Sequence, residues 1–320
     1  MHNRLLSIPQ RAALLAMLTV ALGVCVGCPQ TGTNTGSDNG GSGTNGSAEP
    51  PREPLFKDWQ EPTAVLVLTG DQHGYLEPCG CSEKQSGGFA RRADMFRMLR
   101  EEKGWNVVGL DVGGTLKEKR AQRTQSQAKF AAILTGLNHM GYQALAVGFE
   151  ELLFGTTNLY TSHLEMENLE GFNLKFLSAN ITLFGTKEGM PPASYRIIET
   201  GGLKLGVTSV ISPNAQKELD AIGVTRDPAE LLISPIDEVL PGVMAEMQQQ
   251  GADLLVLLVN GDIDEAKSLA EKYPQFQLVV TARSAEDPLK ETMHVGNTLF
   301  CEVGQKGKNA AVVGIVKSPE

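Results

Sequence analysis

After residue 63 the chain alternates short, wholly apolar runs with amphipathic stretches. The runs are 64–69 (AVLVLT), 106–111 (NVVGLD), 143–147 (QALAV), 174–179 (LKFLSA), 203–210 (LKLGVTSV), 253–259 (DLLVLLV), 277–281 (QLVVT) and 310–316 (AAVVGIV). They are too short for buried helices and lack polar alternation, so they predict strands covered on both faces. Between several of these runs lie stretches with helical periods. Residues 89–103 place Phe89, Met95, Phe96 and Leu99 on one face, with Arg and Glu opposite, the pattern of a surface helix. Residues 124–140, 228–250 and 262–272 also read as helices. Strands alternating with helices predict an α/β (α+β) domain, a central β structure covered by helices. In such folds sites gather at the carboxyl ends of strands. Asp71, Asp111, Gly148, Asn260 and Thr281 all fall at or just past such ends.

The first residues have a different pattern. Arg4 and Arg11 precede an apolar run at 12–24, and Gly27 precedes Cys28. A basic start, a short apolar run and a small residue form a bacterial secretory signal, and the run is short for a membrane span. The Cys after the cleavage position resembles a lipobox, although Cys25 stands where Leu is usual. The expectation is a lipoprotein signal peptide over 1–27, lipidation at Cys28, and a domain held in the bacterial cell envelope, facing periplasm or exterior. Residues 28–55 are rich in Gly, Ser, Thr, Asn and Pro. They lack the apolar surface to offset ordering entropy and read as a flexible tether. Residues 56–320 then form the folded domain. A net charge of −9 argues against nucleic acid as a partner, because neutralising phosphates needs a basic surface. The membrane, through the lipid anchor, and an extracytoplasmic protein remain as partners.

The candidate chemistry starts with Asp71-Gln72-His73, which follows the first strand run. Further matching stretches are GGFARRADMFRMLR (87–100), NVVGLDVGG (106–114), LNHMGYQALAVGFEELLFG (137–155), LKFLSANI (174–181), ADLLVLLVNGD (252–262), FQLVVTARSA (276–285) and GQKGKNAAVVG (304–314). In that order they resemble the calcineurin-like metallophosphoesterases, and within them the 5′-nucleotidase type. The resemblance implies a four-layer fold, a β-sandwich of two mixed sheets flanked by helices, with a two-metal site on loops at the strand ends. It also implies a phosphoric ester hydrolase acting on a nucleotide or other phosphoester. The C-terminal nucleoside-binding domain of the nucleotidases has no counterpart within these 320 residues.

Aligned on those motifs, most metal ligands are replaced. Asp71 and His73 match the Asp-x-His pair of the first metal site. Gly114 stands where the resemblance implies the bridging Asp. Phe149 replaces the Asn ligand, and Glu150 takes the position of the catalytic His. Asn260 replaces a His, and Arg283 and Ala285 replace two more. Two metals about 3.5–4 Å apart clamp the attacking and leaving oxygens in such chemistry, and this set lacks the groups to hold them. The expectation is a domain inactive as a phosphatase, with Arg283 filling the charge hole among Asp71, Asp111 and Glu150 as a bidentate fork. One divalent metal (Zn, Mn or Fe) on Asp71 and His73, joined by Cys79 and Cys81, is the alternative, giving a hydrolase with a rebuilt site.

Cys79 and Cys81 follow His73 within one loop, and Cys301 is the third cysteine after Cys28. Four readings stand: a disulfide from Cys79 or Cys81 to Cys301, a thiolate metal site with His73 and Asp71, a redox-active Cys-Gly-Cys, and free structural thiols. Of the remaining histidines, His139 reads as a packed or capping residue, and His163 and His294 as surface residues. Asn180 reads as a turn residue. The basic run 117–123 (KEKRAQR) reads as a solvated face, with phosphate capture as its alternative.

Overall fold

The computed structural model describes residues 16–21, 55–78, 85–117, 124–188, 190–223, 227, 229–283, 286–288 and 293–317. Cys28, Cys79, Cys81 and Ala285, and all of the tether except Leu55, lie outside them. The first strands in chain order are β1 (Ala16–Ala21), β2 (Ala64–Thr69), β3 (Val107–Asp111), β4 (Tyr142–Ala146) and β5 (Lys175–Leu177). They are followed by β6 (Ile181–Leu183), β7 (Tyr195–Thr200), β8 (Leu203–Ile211), β9 (Leu231–Ile233) and β10 (Leu254–Asn260). The last are β11 (Leu278–Thr281), β12 (Met293–Val295), β13 (Thr298–Glu302) and β14 (Ala311–Lys317). The helices are α1 (Phe89–Arg97), α2 (Thr124–Met140), α3 (Phe149–Phe154), α4 (Thr156–Glu167), α5 (Ala215–Ala221), α6 (Ile236–Gln249) and α7 (Ile263–Lys272).

Two six-stranded sheets run β1-β14-β2-β3-β4-β5 and β12-β13-β11-β10-β8-β7. Both sheets are mixed: β2 to β5 are parallel in the first, with β5 at its edge, and β8, β10, β11 and β13 are parallel in the second. The antiparallel strands are β14 and β1 in the first sheet and β7 and β12 in the second. Alternate residues of both sheets meet in one apolar layer. Leu66, Leu68 and Leu110 face Val207, Val256, Leu258 and Val280 there. The outer face of the first sheet packs Val65 and Val67 against Phe96, Leu99 and Phe130 of the first helices. The outer face of the second packs Leu255 and Leu257 against Leu240 and Met247 of α6. Helix, sheet, sheet and helix therefore form four layers, the fold that the resemblance implied.

Several expectations are corrected. The reading of 228–250 as one helix fails because Leu231–Ile233 pairs with β6 as strand β9, and α6 starts only after Pro235. Pro disfavours α-helical backbone in the residue before it. On α1, Arg92 is not on the solvent side with the other charges but buried with Met95 and Phe96. Its spacing to Met95, Phe96 and Leu99 puts it on the apolar face. His163 is buried, its ring centroid 5.4 Å from that of Phe176 and its Nε2 3.3 Å from Glu167 Oε1. His139 is exposed in the last turn of α2, where an imidazolium suits the helix dipole, and His294 is exposed. Asn180 is fully buried and cross-links Ile211 and Ser234 through its amide. Within the apolar run read as a leader, the backbone of Ala16–Ala21 pairs antiparallel with β14. Among the described residues no helix is long and apolar enough to cross a membrane.

Candidate functional site

The parallel centres of both sheets end at one edge, where Asp71, Asp111, Gly148, Asn260 and Thr281 come together as the strand pattern predicted. The loop after β2 is laced to the loop after β3. Asp71 N donates to Gly113 O (2.7 Å), His73 N to Gly114 O (2.9 Å) and Gly74 N to Thr115 O (2.7 Å). This interlock requires unusual backbone. Asp71 and His73 adopt φ 45° and 50°, a left-handed region that non-glycine residues enter at a cost.

Asp71 and Glu150 are almost fully buried, and Asp71 Oδ1 and Glu150 Oε2 have no hydrogen-bond partner among the described residues. Burial pushes the Asp71 carboxyl up to about 7. Arg283 opposes that rise, and Glu151 and Asp111 add to it. Burial likewise pushes Glu150 up to about 8, with Glu151 and Asp71 contributing and Arg283 opposing. Both acids therefore hold protons at a pH where ordinary carboxyls do not. Asp111 is also raised by burial, opposed by Arg92, by Thr69 Oγ1 donating at 2.6 Å and by Gly113 N donating at 3.0 Å. His73 sits with Nε2 3.9 Å from Asp71 Oδ1. Burial lowers its pKa, as do Lys306, Lys117 and Arg283, so the imidazole is neutral at pH 7.

Arg283 occupies the predicted region but not in the predicted fork. Its guanidinium lies 4.9 Å from the Phe149 ring centroid, and Nη2 donates to Glu218 Oε2 at 3.2 Å. Burial works against its charge, while Glu150, Glu218 and Asp71 favour it. Glu218, on α5, has no signal in the sequence pattern. Arg92, unlike the partly exposed Arg283, is buried. Nη2 donates to Gln72 Oε1, and the guanidinium stands 5.0 Å from the Phe89 ring centroid.

The remaining substituted positions serve the backbone. Asn260 Oδ1 accepts from Phe149 N (3.1 Å), and Nδ2 donates to Val112 O (3.2 Å), tying loops of the two sheets together. Glu151 Oε2 accepts from Gly114 N (3.2 Å) and Gly148 N (2.9 Å), and Oε1 accepts from Thr115 N (2.8 Å) and Thr115 Oγ1 (2.5 Å). Gly114 has φ 72°, and a Cβ there would stand 2.3 Å from Asp71 Oδ1. The two-metal group implied by the resemblance does not fit these residues. The bridging carboxylate has no room, one ligand position is an aromatic ring, another is an amide committed at both ends, and a third is a guanidinium. Among the described residues no group of three or more His, Cys, Asp or Glu could hold a metal ion. The thiol part of the single-metal reading lies outside the described residues. Cys301 is a free thiol buried between the sheets, with its pKa pushed by burial up to about 12. Its candidate disulfide partners, Cys79 and Cys81, lie outside the described residues.

By sequence, no family model and no curated protein matches the chain. By structure, it is similar to a 5′-nucleotidase precursor from Thermus thermophilus, with TM-score 0.61, 20% identity, and coverage of 78% of this chain and 50% of that one. It is also similar to the sulfate thiohydrolase SoxB from the same organism, with TM-score 0.62, 18% identity, and coverage of 80% and 57%. The calcineurin-like phosphoesterase YfkN from Bacillus subtilis gives TM-score 0.57, 17% identity, and coverage of 78% and 83%. The chain spans about half the length of the first two. These likenesses establish the fold: that of a metallophosphoesterase domain of the 5′-nucleotidase type.

Proposed function

We propose that this chain is a lipid-anchored extracytoplasmic domain that keeps the metallophosphoesterase fold, lacks two-metal hydrolysis, and acts by binding. One observation carries the reading: at the position of the bridging ligand stands Gly114, whose missing side-chain space is taken by Asp71 Oδ1. A shared carboxylate between two cations is the element that two-metal chemistry cannot do without. Asn260 and Arg283 support the same reading, since each is occupied in holding neighbouring groups in place.

The test is hydrolysis of AMP and p-nitrophenyl phosphate with added Mn²⁺, Zn²⁺ or Co²⁺. The expected outcome is no turnover near the usual enzyme range of roughly 1–10³ s⁻¹. Turnover in that range, abolished by Asp71→Ala, overturns the reading.

A second reading is favoured by the unpartnered oxygens of Asp71 and Glu150. It is a hydrolase rebuilt around one metal on Asp71, His73, Cys79 and Cys81, with Glu150 as a protonated acid. That reading requires about one Zn²⁺ per chain in purified protein, lost on Cys79→Ser with Cys81→Ser. Metal analysis of the double variant beside the parent separates the two.

A further inference from the structure

On the outer side of His73 lies a cavity of about 200 Å³. Its lining includes His73, Lys117, Gln125, Ser126 and Lys129, and its charged side chains are the two lysines. This is unusual in a chain whose net charge is −9. Neither lysine makes an ion pair among the described residues. The Lys129 ammonium donates to the Gly74 carbonyl at 3.2 Å, a neutral acceptor that leaves its charge unmatched. Gln125 and Ser126 belong to the first turn of α2, whose dipole end favours negative charge. The cationic character extends beyond the lining. Lys117 acts on His73 together with Lys306 and Arg283, although Lys306 is ion-paired with Glu286 at 3.0 Å. Asp71, a carboxylate beside His73, is buried and is not among the residues that line the cavity.

Size selects among anions. The volume corresponds to roughly six or seven waters at about 30 Å³ each, and it falls below the range of about 300–1,000 Å³ usual for drug-sized ligands. A small tetrahedral oxyanion with a few waters fits, and a nucleoside does not. We propose that this cavity is an oxyanion subsite that takes phosphate or sulfate, free or as the end of a monoester, between Lys117, Lys129 and His73. The proposal takes the binding role argued above as its premise and names what is bound. No metal is required, because the two ammonium groups and the helix end supply the positive charge.

The test is calorimetric titration of the full chain, at pH 7 with a chelator present, with inorganic phosphate, sulfate and AMP in separate runs. One site per chain for phosphate or sulfate is expected, weakening with added salt. Each ammonium removed should cost about tenfold in affinity, the scale of one charge-assisted hydrogen bond. Lys117→Ala tests this without disturbing Gly74. Lys117→Ala with Lys129→Gln should abolish binding, and Lys117→Arg with Lys129→Arg should retain it. Thermal melts confirm that these surface variants remain folded. AMP binding as phosphate does identifies a monoester end, and its failure to bind identifies a free anion. Absence of binding by phosphate and sulfate, or unchanged affinity in the Lys117→Ala/Lys129→Gln protein, overturns the proposal. Its fate is separable from that of the premise. Phosphate binding together with hydrolysis of AMP leaves the subsite standing and removes the inactive-domain reading. Neither binding nor hydrolysis does the reverse.

Discussion

Asp71 and Glu150 give the site a pH dependence with a definite sign. Their carboxyls are raised from 3.8 to about 7 and from 4.5 to about 8. Between about pH 4 and pH 8 the folded chain keeps protons that the unfolded chain has released. Their contribution to stability is therefore complete below about pH 4 and is lost as pH rises through 7 and 8. The two acids interact, so the effect belongs to the pair and amounts to a few kcal/mol. Asp71→Asn with Glu150→Gln should flatten the fall in unfolding free energy between pH 5 and pH 8, measured by urea denaturation. An equal slope in parent and variant contradicts it. Arg283→Met removes the cation that opposes both shifts and should steepen the same slope. Asn260→Ala leaves the Phe149 N–H and the Val112 carbonyl without their side-chain partner. At about 1–3 kcal/mol for each buried group left unpaired, a loss of about 2–6 kcal/mol is expected in the same measurement. Arg92 and Glu151 follow the same logic. Each satisfies several buried groups and is part of the frame of the site.

At the scale of elements, the loops hold the site because their supports are local and strong. Helix α7 begins with Asp262 Oδ1 accepting from Asp264 N (3.0 Å) and Glu265 N (2.8 Å), while Glu265 Oε2 accepts from Asp262 N (3.1 Å). This reciprocal cap sets the helix directly after Asn260 and Gly261. Asp262→Ala should cost about 1 kcal/mol in urea denaturation and leave the fold unchanged by circular dichroism. Gly114 is a sterner case. Gly114→Asp restores the residue type that the resemblance implies but places a Cβ against Asp71 at a positive φ. The expected result is a loss of stability of at least 1–3 kcal/mol, of the order of backbone strain at such a site, with no gain of phosphatase activity. The strands β2, β3, β4, β5, β8, β10, β11 and β14 and the helices α1, α2 and α7 were legible in the hydrophobic pattern, because each lies in a periodic or largely apolar run. The strands β6, β7, β9, β12 and β13 and the helices α3, α4 and α5 were not. Most of these are short or carry polar residues on their faces, and their pairing energy comes from partners far away in sequence.

For the whole molecule, the leading question is location. The proposed lipidation at Cys28 would hold the domain at a membrane surface, on a proposed tether whose r.m.s. reach would be about 25–30 Å by flexible-chain scaling. Cys28→Ala should move the protein from the membrane fraction to the soluble fraction. Retention in the membrane with unchanged processing contradicts the anchor. Cleavage before Cys28 would also remove β1 and leave the outer edge of β14 unpaired, so the mature chain would present an open sheet edge. At the junction with the tether, Phe56 is buried, and Trp59 stacks on Trp105 with ring centroids 5.7 Å apart. From Phe56 onward the chain is packed into the folded body.

The sequence by itself, through its hydrophobic pattern, determined a central β structure covered by helices and pointed to the strand ends, because both follow from short-range rules. The two-sheet, four-layer arrangement was instead implied by the family resemblance. Runs apolar on both faces must be buried in parallel sheets, and polar residues at strand ends must converge where those sheets end. It also determined which ligand types stand at Gly114, Phe149, Asn260 and Arg283, since residue identity needs no coordinates. The face of Arg92 was available too, in its spacing to Met95, Phe96 and Leu99. Only the tertiary structure decided what those residues do instead. Arg283 finds Glu218 and the Phe149 ring, from a helix and a loop distant in sequence. Asn260 spans the two sheets. The pocket beside His73 joins Lys117 and Lys129 from either side of the start of α2. Such partnerships depend on distances across the fold, and burial sets how strongly each charge is felt. No local pattern along the chain encodes either quantity.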